Sequence, residues 1–331
     1  MVSASSCVTT SPLAADAPIA GKTHQIRTIQ AFDADEHAHN LTDWEQSYDQ
    51  ITPGHFHGRL IELQLPQMQV FREDTSQAVH QSCCVWPDTF WFGLPVQTGQ
   101  TRINGRLVGP HSIMVRPGHC EFELQTPSDY VIYGIVMRQD NLHHAAERGG
   151  CLIDWAKLAQ AEVMQVAPHP HQRLLQRLAG LLQHDGPYTD PAWRQQLLLN
   201  ALLALLDTSK VDPAVSNSFQ RRQRIVVKAR DLVLSQHDQT LTVPDLCERL
   251  FVSRRTLQYC FEDVLGMSPM QYLRLVRLNT ARRMLRHSSN RVLSVQDVAT
   301  DLGFWHISQF SCDYRKLFGQ TPSQSIPSRH H

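Results

Sequence analysis

The 331-residue sequence has no apolar run approaching the ~18 residues that a membrane-spanning helix needs, so no segment is expected to cross a bilayer. Its eight cysteines include no C-x-x-C pair and no zinc-type spacing, which argues against a structural zinc site or a disulfide framework. Reduced thiols in a cytoplasmic protein are the expectation. The amino end, MVSASSCVTTSPLAADAPIAG, lacks the basic start and apolar stretch of a secretory signal and reads as a disordered tail over 1–23. No phosphate-binding loop and no nucleophile–base pair stands out, so nothing points to an enzyme. Net charge is also absent, at +0, but the balance is local. Residues 217–331 hold 17 Lys/Arg against 9 Asp/Glu, whereas residues 1–216 hold 14 against 22. A basic carboxyl part is the footprint of a polyanion binder, and the acidic amino part is not.

What is present is a repeat. TVPDLCERLFVSRRTLQYCFEDVLGMSP recurs as SVQDVATDLGFWHISQFSCDYRKLFGQTP. Val243, Asp245, Leu246 and Leu250 recur as Val295, Asp297, Val298 and Leu302, 52 positions on; Leu257, Phe261, Leu265 and Gly266 recur as Phe310, Tyr314, Phe318 and Gly319, 53 positions on. The slip puts one extra residue in the second turn. Each copy reads as a helix-turn-helix, 242–266 and 294–319: Thr242 or Ser294 caps a short helix with Asp in its first turn, a turn follows, and a second helix carries apolar residues three and four apart. With Leu257, Cys260 and Phe261 inward, Arg255, Gln258 and Tyr259 point outward; with Phe310 and Tyr314 inward, so do Ser308, Gln309, Ser311 and Cys312. Such side chains read base edges in a major groove. Between the copies, 268–288 predicts one long helix with Arg274, Arg277, Arg282, Arg283 and Arg286 on a basic side. At about 30 Å it matches roughly one turn of duplex DNA.

The double motif, above all SRRTLQ and GFWHISQFSCDYRKLFGQTPS, resembles the DNA-binding domain of the AraC/XylS transcription regulators. The resemblance covers about 100 residues, from Arg224 to Pro322. Cys312 and Ile326 stand where that family usually carries Arg. The resemblance implies double-stranded DNA and RNA polymerase as partners. Base readout is expected from Arg255, Gln258 and Tyr259 in the first motif and from Ser308 and Gln309, with His306 nearby, in the second. Arg254, Arg274, Arg277, Arg282 and Arg283 are expected to meet phosphate.

Upstream, short strands separated by turn signals over 57–138 predict a jelly-roll, cupin-like β-barrel, preceded by a short helix at 41–50. Leucine stripes at 174–182 and 197–206 predict a helical hairpin packed on the barrel or presented to a second copy of the chain. The architecture expected is α+β: an effector-sensing barrel with helices over 24–207, a linker at 208–222, and an all-α DNA-binding domain over 223–331 opening with a helix at 225–236.

Within the barrel, Trp86, Phe90, Trp91 and Phe92 form an aromatic group. With a carboxylate from Asp88, Glu121 or Glu123 they would suit a small protonated amine. LTDWEQSYDQITPGHFHG, IELQLPQMQVFRE, QSCCVWPDTFWFGLP and EFELQTPSDY resemble the activators of ethanolamine-utilisation operons. That resemblance implies ethanolamine, together with adenosylcobalamin, as effectors. One alternative is a metal-binding cupin-like enzyme fused to a DNA-binding module, since His55, His57 and Glu62 approach a cupin ligand spacing. His55, however, falls at a Pro-Gly turn and no third His is suitably placed, so no metal is expected.

Overall fold

A computed structural model describes residues 25–97, 99–183, 190–212, 216–235, 241–287 and 294–327. The tail expected at 1–23 lies outside them. The chain runs β1 (Ile26–Ala31), α1 (Ala34–Ala38), β2 (Glu45–Gln50), β3 (Gly58–Leu65), β4 (Met68–Thr75), β5 (Val79–Cys84), β6 (Thr89–Pro95), β7 (Arg102–Ile103), β8 (Arg106–Leu107), β9 (Ser112–Pro117), β10 (Phe122–Thr126) and β11 (Tyr130–Arg138). It continues as α2 (Gln139–Gly149), α3 (Trp155–Gln160), β12 (Val163–Gln165), α4 (Pro168–Gln183), α5 (Pro191–Asp207), β13 (Lys210–Val211) and α6 (Asn217–Ser235). Then come α7 (Val243–Leu250), α8 (Arg254–Leu265), α9 (Pro269–Arg286), α10 (Val295–Asp301), α11 (Ile307–Phe318) and a 3-10 turn at Pro322–Ser325.

The fold is α+β. Among the described residues, two antiparallel sheets face each other, ordered β1-β3-β4-β11-β6-β9-β12-β13 and β2-β5-β10-β7-β8. Strand alternation divides the large sheet. Leu60, Phe71, Trp91, Met114 and Ile132 point inward and pack against Cys83, Ile103, Phe122 and Leu124 of the small sheet. Leu63, Val70, Phe90, Phe92, Val115 and Ile135 point outward and are covered by Leu174, Leu178 and Leu182 of α4 and by Leu198, Leu199, Leu202 and Leu205 of α5. Both leucine stripes are therefore spent inside the chain. α5 is apolar on nearly every side because it is covered by both the sheet and α4.

Two local expectations are corrected. Segment 41–50 ends in a strand, Glu45–Gln50, with Tyr48 and Gln50 buried in the small sheet. Its pairing with β5 supplies hydrogen bonds that an isolated short helix would lack. The helix expected from 225 starts at Asn217, inside the span read as linker.

The two domains meet along a polar seam. Asn279 of α9 closes a two-way bond with the Gln50 backbone: Gln50 N–H donates to Oδ1 at 2.9 Å, and Nδ2 donates to Gln50 O at 3.0 Å. The Gln50 side chain donates to Leu317 O at 2.7 Å. Arg282 pairs with Asp33, the N-cap of α1; Arg283 pairs with Asp35 at 2.8 Å and with Asp49; Arg286 pairs with Glu36 at 3.1 Å. Farther along, Arg230 of α6 pairs with Glu123. The β7–β8 hairpin turns on Asn104-Gly105, both with positive φ as a two-residue hairpin turn demands. A Cβ at Gly105 would fall 2.4 Å from the Val264 side chain, so only glycine lets this turn sit against α8.

The seam makes stability depend on pH. Burial pushes the His80 imidazole down to about 4, with Asp49 raising it and Arg230 lowering it further. The folded value lies below the ordinary ~6.5, so the unfolded chain binds the proton first as pH falls. The contribution is complete above about 6.5 and is lost toward about 4, at about 1.4 kcal/mol per unit. Burial alone would raise the Asp33 carboxyl, but Arg282, Arg286 and the Glu36 amide outweigh it and hold it below the usual range. Its contribution is present above about 3.9 and disappears as pH falls through the lowered value. Urea unfolding is expected to show a loss of about 2 kcal/mol between pH 7 and pH 5, removed in His80→Gln. A wild-type profile flat over that interval would refute the assignment.

Candidate nucleic-acid interface

The two motifs share their construction. Thr242 and Ser294 each cap their helix in a reciprocal box with Asp245 and Asp297. Phe251 and Gly303 follow with left-handed backbones, φ 54° and 74°. Val252 N–H then donates to Cys247 O at 3.0 Å, and its counterpart Phe304 N–H donates to Ala299 O at 2.8 Å. After that the copies diverge. Ser253 caps α8 directly, its hydroxyl accepting from Thr256 N at 3.1 Å. In the second copy Trp305 intervenes, and His306 occupies the cap position without a side-chain bond. Trp305 is the inserted residue, 88% exposed.

Leu257, Cys260 and Phe261 are buried beneath α8, and Phe310, Tyr314 and Phe318 beneath α11. This fixes which faces are free. Arg254, Arg255 and Tyr259 are exposed on α8, with Tyr259 under the Arg222 guanidinium at 5.3 Å. Gln258 is half-buried and donates to Glu262 at 2.5 Å. His306, Ser308 and Gln309 are exposed on α11, but Gln309 is turned along the helix to donate to Asp313 at 2.9 Å. Superposing the motifs by their buried residues sets Ile307, Ser308, Ser311 and Cys312 opposite Arg254, Arg255, Gln258 and Tyr259. Ile307 was not singled out from sequence, although the 53-residue offset carries that signal.

The long helix is corrected more strongly. Arg282 is buried and Arg283 half-buried in the seam, each facing carboxylates of the amino-terminal domain, so neither faces outward to meet phosphate. Arg277 is half-buried and donates to Leu241 O at 2.5 Å; burial lowers its pKa. Arg274 is exposed and paired with Asp313. The basic side of α9 thus looks mainly toward its own acidic domain, which accounts for part of the opposed charge of the two halves.

The effector candidates also separate. Phe90 and Phe92 face the helical hairpin, whereas Trp91 faces the interior and stacks on Phe122 at 4.8 Å. Consecutive strand residues point to opposite faces, so these aromatics cannot line one pocket. Trp86 is half-buried, and Asp88 is an exposed turn residue with φ 60°. Glu121 and Glu123 stand instead on the outer face of the small sheet. There they line a cavity of about 650 Å3 between that sheet and α6. Glu45, Cys84 and Glu121 line its sheet side; Val226, Val227, Arg230 and Leu234 line its helix side. The volume lies in the range of small-molecule sites.

His55 and His57 sit before β3, with His57 against Phe32 at 5.5 Å. Glu62 is held by Arg27, Thr42 and Gln69. Among the described residues, no three His, Cys, Asp or Glu side chains gather as a metal site, and no helix is long and apolar enough to cross a membrane.

A family model described as a helix-turn-helix domain matches residues 246–326. The probable thc operon regulatory protein of Rhodococcus erythropolis is 33% identical over 102 residues, 31% of each chain. The XylDLEGF operon transcriptional activator 3 of Pseudomonas putida is 28% identical over 157 residues, 46% of each. The chain therefore spans less than half the length of these two relatives. Among solved structures, the AraC-like transcriptional activator CuxR covers 78% of this chain and 96% of its own, at 17% identity and a TM-score of 0.40. The carboxyl-terminal domain is a helix-turn-helix domain.

Proposed function

We propose that this chain is a DNA-binding transcriptional activator of the AraC/XylS family whose amino-terminal domain responds to a small organic cation. The observation that carries the first half is the pair of exposed helix faces, α8 and α11, joined through α9. That helix, 18 residues long, measures about 27 Å. Two reading helices so joined suit successive major grooves of one duplex. RNA polymerase is the partner through which such a regulator would activate.

The second half rests on the cavity between the domains. Glu45 and Glu121 line it without a basic partner among the described residues, beside the apolar side chains of α6. This combination suits a small amine, ethanolamine among them, and a ligand there touches both domains at once. Ligand binding would then change how the DNA-binding domain is held, by as much as the ligand favours one arrangement over the other.

The test is binding of the full chain to duplex DNA by fluorescence anisotropy, across a salt series, with titration calorimetry for ethanolamine and adenosylcobalamin, separately and together. Sequence-selective binding that weakens steeply with salt is expected, as is ethanolamine binding that Glu121→Gln weakens. Failure to prefer any sequence defeats the DNA reading. Silence toward ethanolamine and other small amines defeats the effector reading alone.

A further inference from the structure

The two reading faces differ in chemistry, and this difference specifies what each half of a DNA site contains. On α8 the outward positions are Arg254, Arg255, Gln258 and Tyr259. Two are guanidiniums, the groups that pair with guanine edges; Gln258, like Gln309 of the second motif, is turned along its helix, to Glu262. On α11 the matching positions are Ile307, Ser308, Ser311 and Cys312. This face carries no cation and no side chain that spans two base acceptors. Gln309, the nearest amide, is committed to Asp313, and Asp313 to Arg274. The basic residues of α11, Arg315 and Lys316, lie in its last turn.

Beside the exposed polar side chains of His306 and Ser308, the start of α11 presents apolar surface. Ile307 is 36% exposed at the first helical position, and Trp305 is 88% exposed just ahead of the cap. Cys312 is exposed one and a half turns on. The strongest apolar feature in the major groove is the C5-methyl of thymine, since the other base edges there present mainly donors and acceptors. We propose that the second motif selects thymine, by contact of Ile307 and Trp305 with thymine methyls, while the first motif selects guanine by hydrogen bonding. The site is then chemically unsymmetrical: one half-site is read through donors and the other through methyl groups. Cys312 follows the same logic. A thiol is a small hydrophobe with a weak donor, compatible with a methyl-lined groove, whereas an arginine there would favour guanine or phosphate.

This inference rests on the DNA-binding reading, and the experiment separates the two. The full chain is used to select sites from a randomised duplex library. Arg255→Ala then identifies the half-site read by α8, because preference relaxes there. In the other half-site each thymine is replaced in turn by uracil, which removes only the methyl. At one or two positions binding is expected to weaken about four-fold, the factor that corresponds to burying one methyl-sized group. Ile307→Ala and Trp305→Ala, both at exposed positions that leave the fold intact, are each expected to lose discrimination between thymine and uracil at the position that residue contacts. Indifference of the wild-type chain to uracil, or undiminished discrimination in both Ile307→Ala and Trp305→Ala, overturns the assignment of thymine. Enrichment of no sequence at all overturns the DNA-binding reading and this inference with it.

Discussion

Replacing Arg282 by alanine is expected to cost about 3–5 kcal/mol of stability, read as a shift of the urea midpoint. Asp33 is 1% exposed, and its carboxylate faces the Arg282 guanidinium, which is itself buried over the Phe318 ring at 4.6 Å. Removing the guanidinium strands a charge that water cannot reach. The lower end of that range is the expected value, because three partners remain: the Asp35 and Glu36 amides at 3.0 and 3.1 Å, and Arg286 at 3.8 Å. The double variant Asp33→Ala with Arg282→Ala is expected to lose less than the two single losses combined, since neither side is then left charged. If Arg282→Ala alone cost under about 1 kcal/mol, the pair would behave as a solvated surface contact, and the seam described above would be wrong.

Arg255→Ala is expected to weaken binding to the selected DNA site by about 1–3 kcal/mol, roughly 5- to 150-fold, and to relax preference at one base pair. Arg255 is exposed on α8 with no ion pair among the described residues, so its guanidinium is free to make a bidentate contact. A base contact and a phosphate contact differ in their signature. Loss of base readout leaves the salt dependence largely unchanged and spares random DNA. Loss of a phosphate contact weakens both sequences equally and reduces the salt slope by about one. Equal loss on both DNAs would reassign Arg255 to the backbone.

Some features were set locally and could be read before any fold was known. The repeat, its caps at Thr242 and Ser294, the long helix between the copies and the inward positions Leu257, Phe261, Phe310 and Tyr314 all follow from spacings of three and four residues and from capping chemistry. The Asn104-Gly105 turn follows from backbone preference in the same way. These patterns depend on near neighbours in the chain, so the sequence carries them in full.

Tertiary structure decided the rest, because each remaining question concerned partners far away in sequence. Helical periodicity puts Arg274, Arg277, Arg282, Arg283 and Arg286 on α9 but cannot say what each faces. Asp33, Asp35, Glu36 and Asp49, more than 200 positions earlier, claim three of them for the domain seam. Segment 41–50 carries weak local preference, and pairing with β5 makes its second half a strand. Phe90, Trp91 and Phe92 read as one cluster along the chain, yet strand alternation sends them to opposite faces of one sheet. Glu121 and Glu123 were legible as candidates only by charge. Their place in a cavity exists only because α6 packs across the small sheet, and nothing local to either segment encodes that approach.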